Sequence, residues 1–245
     1  VQSHIGVCFQ HDILWEKLSA GQHVQLFATL KGIESSRVQE VIKKRLSDVG
    51  LYGVKDKAAG EFSGGMKRRL SVAIASVGNP KVVFLDEPTT GLDPVSRRQV
   101  WDSIRRLKKG RCVILTTHSM EEADNLSDRI AIMADGELKV IGTSLHLKNE
   151  YGAGYRINLT SKDEERVDEL KAIAQRELPS AELIAESVAH LVYQLPNEHV
   201  EELVSFSKYL EKIHGKDTVL LDWALSQTTL EEVFMKISQH VESND

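Results

Sequence analysis

A chain of 245 residues can hold one large domain or two ordinary ones, and its 41% apolar and 27% charged shares are those of an ordinary globular protein rather than a disordered one. A formal charge of -5, from 31 basic and 36 acidic residues, excludes a nucleic-acid footprint and argues against a basic membrane-surface patch. No apolar run approaches the roughly 18 residues that cross a bilayer, and no signal peptide is visible. Cys8 and Cys112 sit in apolar runs that read as buried strands. A disulfide framework is therefore not expected, and a reducing compartment is. The first residue is Val1 rather than Met, which raises the expectation of a start within a longer protein.

In chain order, Ile5 to Phe9 reads as a buried strand ending at Gln10-His11-Asp12. Val24, Leu26, Phe27 and Leu30 recur at helical spacing from Ser19, and Lys31-Gly32 stops the run. Ser35 is placed to cap a second helix with Val38, Val41, Ile42, Leu46 and Val49 on one face and Gly50 at its end. Gly64 to Gly78 reads as a third helix, entered through Ser63. Val82 to Leu85, between Pro80 and Pro88, suits a central parallel strand. A helix opens at Pro94 and runs to Lys109. Cys112 to Thr116 is a strand, Met120 to Leu126 a short helix, and Arg129 to Met133 a strand that turns at Asp135-Gly136 into Glu137 to Ile141. Alternating strands and helices predict a parallel sheet covered on both faces.

Tyr151 to Gly154 reads as a linker. Beyond it come a strand (155–159), a helix (163–178), two strands (182–185 and 190–195), a helix (198–213), a strand (218–225) and a closing helix (229–237). This β-α-β-β-α-β order predicts a ferredoxin-like unit. The polar tail from Gln239 is expected to fray.

The chemistry concentrates between residues 63 and 93. Asp86-Glu87 ends an apolar strand, where a parallel α/β sheet binds ligands. Phosphoryl transfer needs a magnesium ion and a group that orients water; Asp86 suits the first role and Glu87 the second. Alone, an acidic pair at a strand end is usually inert. Here Val82-Val83-Phe84-Leu85 precedes it and Pro88-Thr89-Thr90-Gly91-Leu92-Asp93 follows. Ser63-Gly64-Gly65 at a helix start lets a backbone approach an anion, although Ser-Gly-Gly is also an ordinary cap. His118 follows the next strand, within reach of a phosphate or an attacking water. Gln10 likewise ends a strand, and Asp93 is placed to cap the next helix. Lys67-Arg68-Arg69 reads as a solvated helix face, and Trp15 and Trp101 as packing residues. No Cys/His cluster has zinc spacing.

In this order and spacing, Ser63-Gly64-Gly65-Met66-Lys67-Arg68-Arg69, Val82 to Pro88 and Gly91-Leu92-Asp93-Pro94 resemble the signature motif, Walker B strand and D-loop of an ABC-type ATPase. Met66 departs from the glutamine usual after the signature glycines. Cys8-Phe9-Gln10-His11-Asp12-Ile13-Leu14 and Phe27-Ala28-Thr29-Leu30-Lys31-Gly32 resemble segments of subfamily A, whose members are largely lipid exporters or flippases. Thr229-Leu230-Glu231-Glu232-Val233-Phe234 is similar to the end of the regulatory domain that follows such ATPase domains. The resemblance implies a truncated P-loop NTPase core over 1–148, with a helical subdomain at about 12–78. It also implies a small α+β regulatory domain over 152–240 and a frayed tail at 241–245. ATP and magnesium are the implied cofactors, with Gln10, Asp86, Glu87 and His118 serving the site in cis and Gln10 also contacting the metal. Ser63, Gly64, Gly65 and Asp93 would meet the opposite site of a head-to-tail pair. Transmembrane domains and a second nucleotide-binding domain are the implied partners, on the cytoplasmic face of a membrane.

One motif is missing from these residues: the chain contains no G-x-x-x-x-G-K-[ST] phosphate loop, and Gly215-Lys216-Asp217 does not substitute for one. Little ATPase activity is expected of the chain alone. A soluble ABC ATPase that moves no solute, or a regulatory module without catalysis, are the alternatives. The first should carry a second cassette, a coiled-coil insertion or a basic surface, and Asp86, Glu87 and His118 speak against the second.

Overall fold

The structure, a computed structural model, describes residues 4–213 and 219–242. Val1, Gly215-Lys216-Asp217, Thr218 and residues 243–245 lie outside the described residues. The chain divides into two compact units, Val1–Leu126 and Ser127–Asp245.

In the first unit, β1 (Ile5–Cys8), β2 (Val82–Asp86) and β3 (Cys112–Thr116) form a parallel sheet in the order β1-β2-β3. Cys8 pairs with Leu85 and Leu85 with Leu115, so the three strand ends lie side by side. Parallel neighbours require crossovers. The first passes through α1 (Ala20–Leu30), α2 (Val38–Asp48) and α3 (Gly64–Ala75), the second through α4 (Pro94–Lys108). One sheet face carries Cys8, Val83 and Leu85 into a core with Val72 and Ala75 of α3 and Val100, Trp101 and Ile104 of α4. Gly6 permits this packing, because a Cβ there would run into the Ala75 carbonyl. The other face is bare. Val7, Phe84 and Ile114 stand in one register row at 42%, 40% and 48% exposure. The expected cover on both faces is therefore not met, since the helices packed on this sheet, α3 and α4, lie on one side of it.

The three crossover helices form their own core from Val24, Ala28, Ile42, Leu46, Leu51, Phe62 and Leu70. Ser19 caps α1 and Gln22 returns the bond, a reciprocal capping box. Ser35 does not cap α2: it opens a 3-10 turn, Ser35–Arg37, and no side chain caps either element. Helix α3 stops at Ala75 rather than Gly78, because Gly78 and Asn79 both take positive φ to turn the chain into β2. The cysteines also part company. Cys8 is buried on the core face of β1, whereas Cys112 opens β3 on the opposite face and is exposed. Helix α5 (Met120–Leu126) closes the unit.

The second unit begins with the hairpin β4 (Ile130–Ala134) and β5 (Glu137–Gly142), turned by Asp135 and Gly136 with φ of 52° and 76°. Helix α6 (Ser144–Tyr151) was not legible in the sequence; Thr143 caps it through the His146 amide, and it occupies the first residue of the expected linker. Strand β6 (Tyr155–Ser161), α7 (Val167–Glu177), β7 (Glu182–Ser187), β8 (His190–Leu195), α8 (Val200–Ile213), β9 (Leu220–Gln227) and α9 (Leu230–Glu242) follow in the expected order. Their antiparallel sheet runs β7-β8-β6-β9. Ile157 and Leu159 of its central strand pack with Leu170 of α7 and Phe206 and Leu210 of α8. Helix α9 touches both α6 and β4, which ties the hairpin to this compact unit. It also runs past Gln239, where fraying was expected.

Candidate functional site

The end of β2 carries Asp86 and Glu87 out of the sheet, beside the end of β3. Thr116 of β3 donates its hydroxyl to Asp86 Oδ1 at 2.5 Å. Its carbonyl and hydroxyl oxygens accept from the Glu87 amide at 3.1 and 3.2 Å. Glu87 sits at φ +45°, a left-handed backbone that a glutamate seldom adopts. That turn swings its side chain towards the loop after β3. There His118 Nδ1 lies 2.8 Å from Glu87 Oε2, and Thr90 Oγ1 donates to the same oxygen at 2.7 Å. The imidazole is 74% exposed while the carboxylate is 20% exposed, so the pair opens to solvent through the histidine. Two residues separated by thirty-one positions, each inferred only from a strand end, thus meet as a hydrogen-bonded pair.

Arg68 is the residue that the sequence understated. The Lys67-Arg68-Arg69 run was expected to be a solvated helix face, but Arg68 is 4% exposed. Its guanidinium reaches five backbone carbonyls. Nε donates to Pro88, Nη1 to Phe9 and Gln10, and Nη2 to Asp86 and Glu87. Asp12 Oδ1 lies 3.4 Å from Nη1 and also accepts from Ser71 Oγ at 2.8 Å. Arg69 turns elsewhere, donating to the Val49 carbonyl at 3.0 Å. The reason is topological: α3 passes directly behind the ends of β1 and β2, where carbonyls need donors. Gln10 is exposed, and its main chain joins the cluster through Arg68.

Ser63 caps α3, accepting from the Met66 amide at 3.3 Å. The two glycines behind it differ. A Cβ on Gly65 would stand 2.6 Å from the Ser96 Cβ, so this glycine lets α3 and α4 touch. A Cβ on Gly64 would meet only Leu92, at 3.9 Å, so packing does not require this glycine. Asp93 caps α4, its Oδ1 accepting from the Val95 and Ser96 amides at 3.0 Å each. The Ser96 hydroxyl, followed by these amides, holds its carboxyl below the usual range. Gly65–Ser96 packing therefore sets the signature turn beside the D-loop cap within one unit.

A buried carboxylate absent from the sequence reading supports this floor. Glu122 of α5 is 1% exposed and accepts from Thr89 Oγ1 at 2.7 Å and Trp101 Nε1 at 2.9 Å. Trp101 is thus a packing residue with its N–H satisfied. Trp15 is 49% exposed and rests against His23 and Phe27.

Among the described residues no three His, Cys, Asp or Glu gather as a metal cage. Magnesium is held by one or two carboxylates, with substrate phosphates and water completing the shell. Asp86, half engaged by Thr116 and open to solvent, fits such a ligand. A cavity of about 560 Å³ lies elsewhere, lined in part by Ile33, Arg37 and Lys44, and includes none of these residues. No helix among the described residues is long and apolar enough to cross a membrane.

A model of the ABC transporter family matches residues 1–90. The chain is 46% identical over 245 residues to ABC transporter A family member 9 of Arabidopsis thaliana, covering 99% of this chain and 26% of that protein. It is 45% identical over 251 positions to member 11 of the same plant, with 99% and 26% covered. For member 2 the identity is 44% over 250 positions, with 99% and 25% covered. The chain thus spans about a quarter of the length of the curated relatives it matches. These matches place the chain in the ABC transporter family, as an ATP-binding domain most like those of subfamily A.

Proposed function

We propose that this chain is the ATP-hydrolysing part of a membrane transporter that carries lipids. The observation that supports it best is the Glu87–His118 pair at 2.8 Å, next to Asp86 at the edge of a parallel sheet. In this reading Glu87 accepts a proton from the water that attacks the terminal phosphoryl group, and His118 holds the carboxylate in place. Asp86 would hold a magnesium ion, which would supply charge neutralisation on the phosphates, and Gln10 would assist in holding the metal and the water. Ser63, Gly64 and Gly65 serve the opposite site of a head-to-tail pair, together with Asp93, and the backbone at Gly64 is open enough to do so.

The phosphate cradle is not among these 245 residues. In this reading it is supplied by a preceding segment of the same polypeptide, and the bare Val7–Phe84–Ile114 row is where such a segment would find apolar cover. The β7-β8-β6-β9 sheet with its two helices is, on the same reading, a ferredoxin-like regulatory domain over 152–240. Transmembrane domains and a second nucleotide-binding domain are the partners, at the cytoplasmic face of a membrane.

The chain alone turns over ATP no faster than a Glu87→Gln, Ser63→Ala double variant. Joined to the natural segment that bears G-x-x-x-x-G-K-[ST], it hydrolyses ATP, and Glu87→Gln removes that activity. Turnover by the chain alone, or full activity in the joined Glu87→Gln protein, contradicts this assignment of roles.

A further inference from the structure

We propose that Arg68 is a positioning residue: it holds the Gln10 loop and the Asp86-Glu87 strand end in their working geometry and makes them move with the Ser63-Gly64-Gly65 turn. The inference rests on the ATP-hydrolysing reading above and concerns how that site is held together.

Three observations carry it. First, the guanidinium is 4% exposed and has an acceptor for each of its N–H directions, five of them main-chain carbonyls from two separate segments. A planar fork can bridge both segments at once; a lysine ammonium, with three donors around a point, cannot. Second, the carbonyls belong to the residues that matter, Gln10 on one side and Asp86, Glu87 and Pro88 on the other. Glu87 has a left-handed backbone, and such a conformation persists only when its surroundings hold it. Thr116 holds the Glu87 amide and Arg68 Nη2 holds its carbonyl, at 3.0 Å. Third, Arg68 stands on α3, the helix that Ser63 caps. Beside the core packing of Val72 and Ala75, Arg68 is the polar link that carries a displacement of that helix to the Glu87 main chain, without a contact between Arg68 and nucleotide.

The test uses the natural full-length polypeptide, reconstituted in lipid vesicles and supplied with magnesium and ATP. Wild type is compared with Arg68→Lys and with Glu87→Gln, which marks true hydrolysis. The expected result for Arg68→Lys is a fall in kcat of about a hundredfold, the scale of a misplaced catalytic group, with KM for ATP unchanged within about twofold. Wild-type kcat, or a loss that only follows the folded fraction, overturns the proposal. So does a joint change of kcat and KM. A second readout needs no variant. In the chain itself, the Arg68 guanidinium protons exchange slowly enough at neutral pH to give separate nitrogen-15 correlated NMR signals. Fast exchange of all of them overturns the proposal. If Glu87→Gln leaves turnover intact, it is the hydrolytic reading that fails, and the NMR result alone decides whether the clamp exists.

Discussion

At the residue scale, the two cysteines show how one sequence context yields two environments. Burial pushes the Cys8 thiol up to about 11, against partial relief from the Arg68 guanidinium, while Cys112 lies exposed at a sheet edge. A maleimide at pH 7.5 is expected to add once to the native chain, at Cys112, and twice after denaturation, as read by intact mass. Two adducts on the native chain would mean that Cys8 is accessible. The raised thiol also has a pH consequence. Between the ordinary 9.0 and about 11, the native state keeps a proton that the unfolded chain has lost. The stability that Cys8 contributes is complete below about pH 9 and is lost as pH rises through 11, by roughly 2–3 kcal/mol in all. Urea midpoints of wild type and Cys8→Ala should therefore converge over that window. Both cysteines lie in apolar runs on outer strands of the sheet, and nothing in the run says that Cys8 shares the core face with Leu85 while Cys112 shares the open face with Ile114.

At the element scale, some local rules decided the outcome and others, such as the cap expected at Ser35, did not. Pro94 opens α4 and Asp135-Gly136 turns the β4–β5 hairpin, each by chemistry contained in a few neighbouring residues. Helix α6 was not legible because its stretch, Ser144 to Tyr151, has no long apolar face; it forms by packing on β5 and α9. The close meeting of α3 and α4 gives a prediction of the same kind. Gly65→Ala should lower stability by about 1–3 kcal/mol, because the new methyl meets Ser96 Cβ and the helices must part. Gly64→Ala should leave stability within about 1 kcal/mol of wild type and, in the assembled transporter, lower ATP turnover instead. Chemical denaturation of the two variants checks the contrast; equal losses would remove the distinction between a packing glycine and a ligand-facing one.

At the scale of the whole molecule, the parallel sheet reads as half of a sandwich. Phe84 and Leu85 are neighbours in one apolar run, yet Leu85 is 1% exposed and Phe84 40%. Leu85→Ala should cost about 2–5 kcal/mol. Phe84→Thr should cost less than about 1 kcal/mol and should reduce binding of an apolar dye to the chain. Loss of stability in Phe84→Thr equal to that in Leu85→Ala would show that the row is covered in solution.

The sequence by itself determined the order of elements apart from α6, the family, and the candidates Gln10, Ser63, Gly64, Gly65, Asp86, Glu87, Asp93 and His118. Periodicity, caps and strand ends are local properties, and motif spacing survives without knowledge of contacts. Only the tertiary structure decided which of these groups touch. The Glu87–His118 bond depends on β2 and β3 lying in parallel register, and the burial of Arg68 depends on α3 passing behind two strand ends. A buried cation and a solvated one have the same letter in the chain. The difference is made by the carbonyls that other segments bring to it.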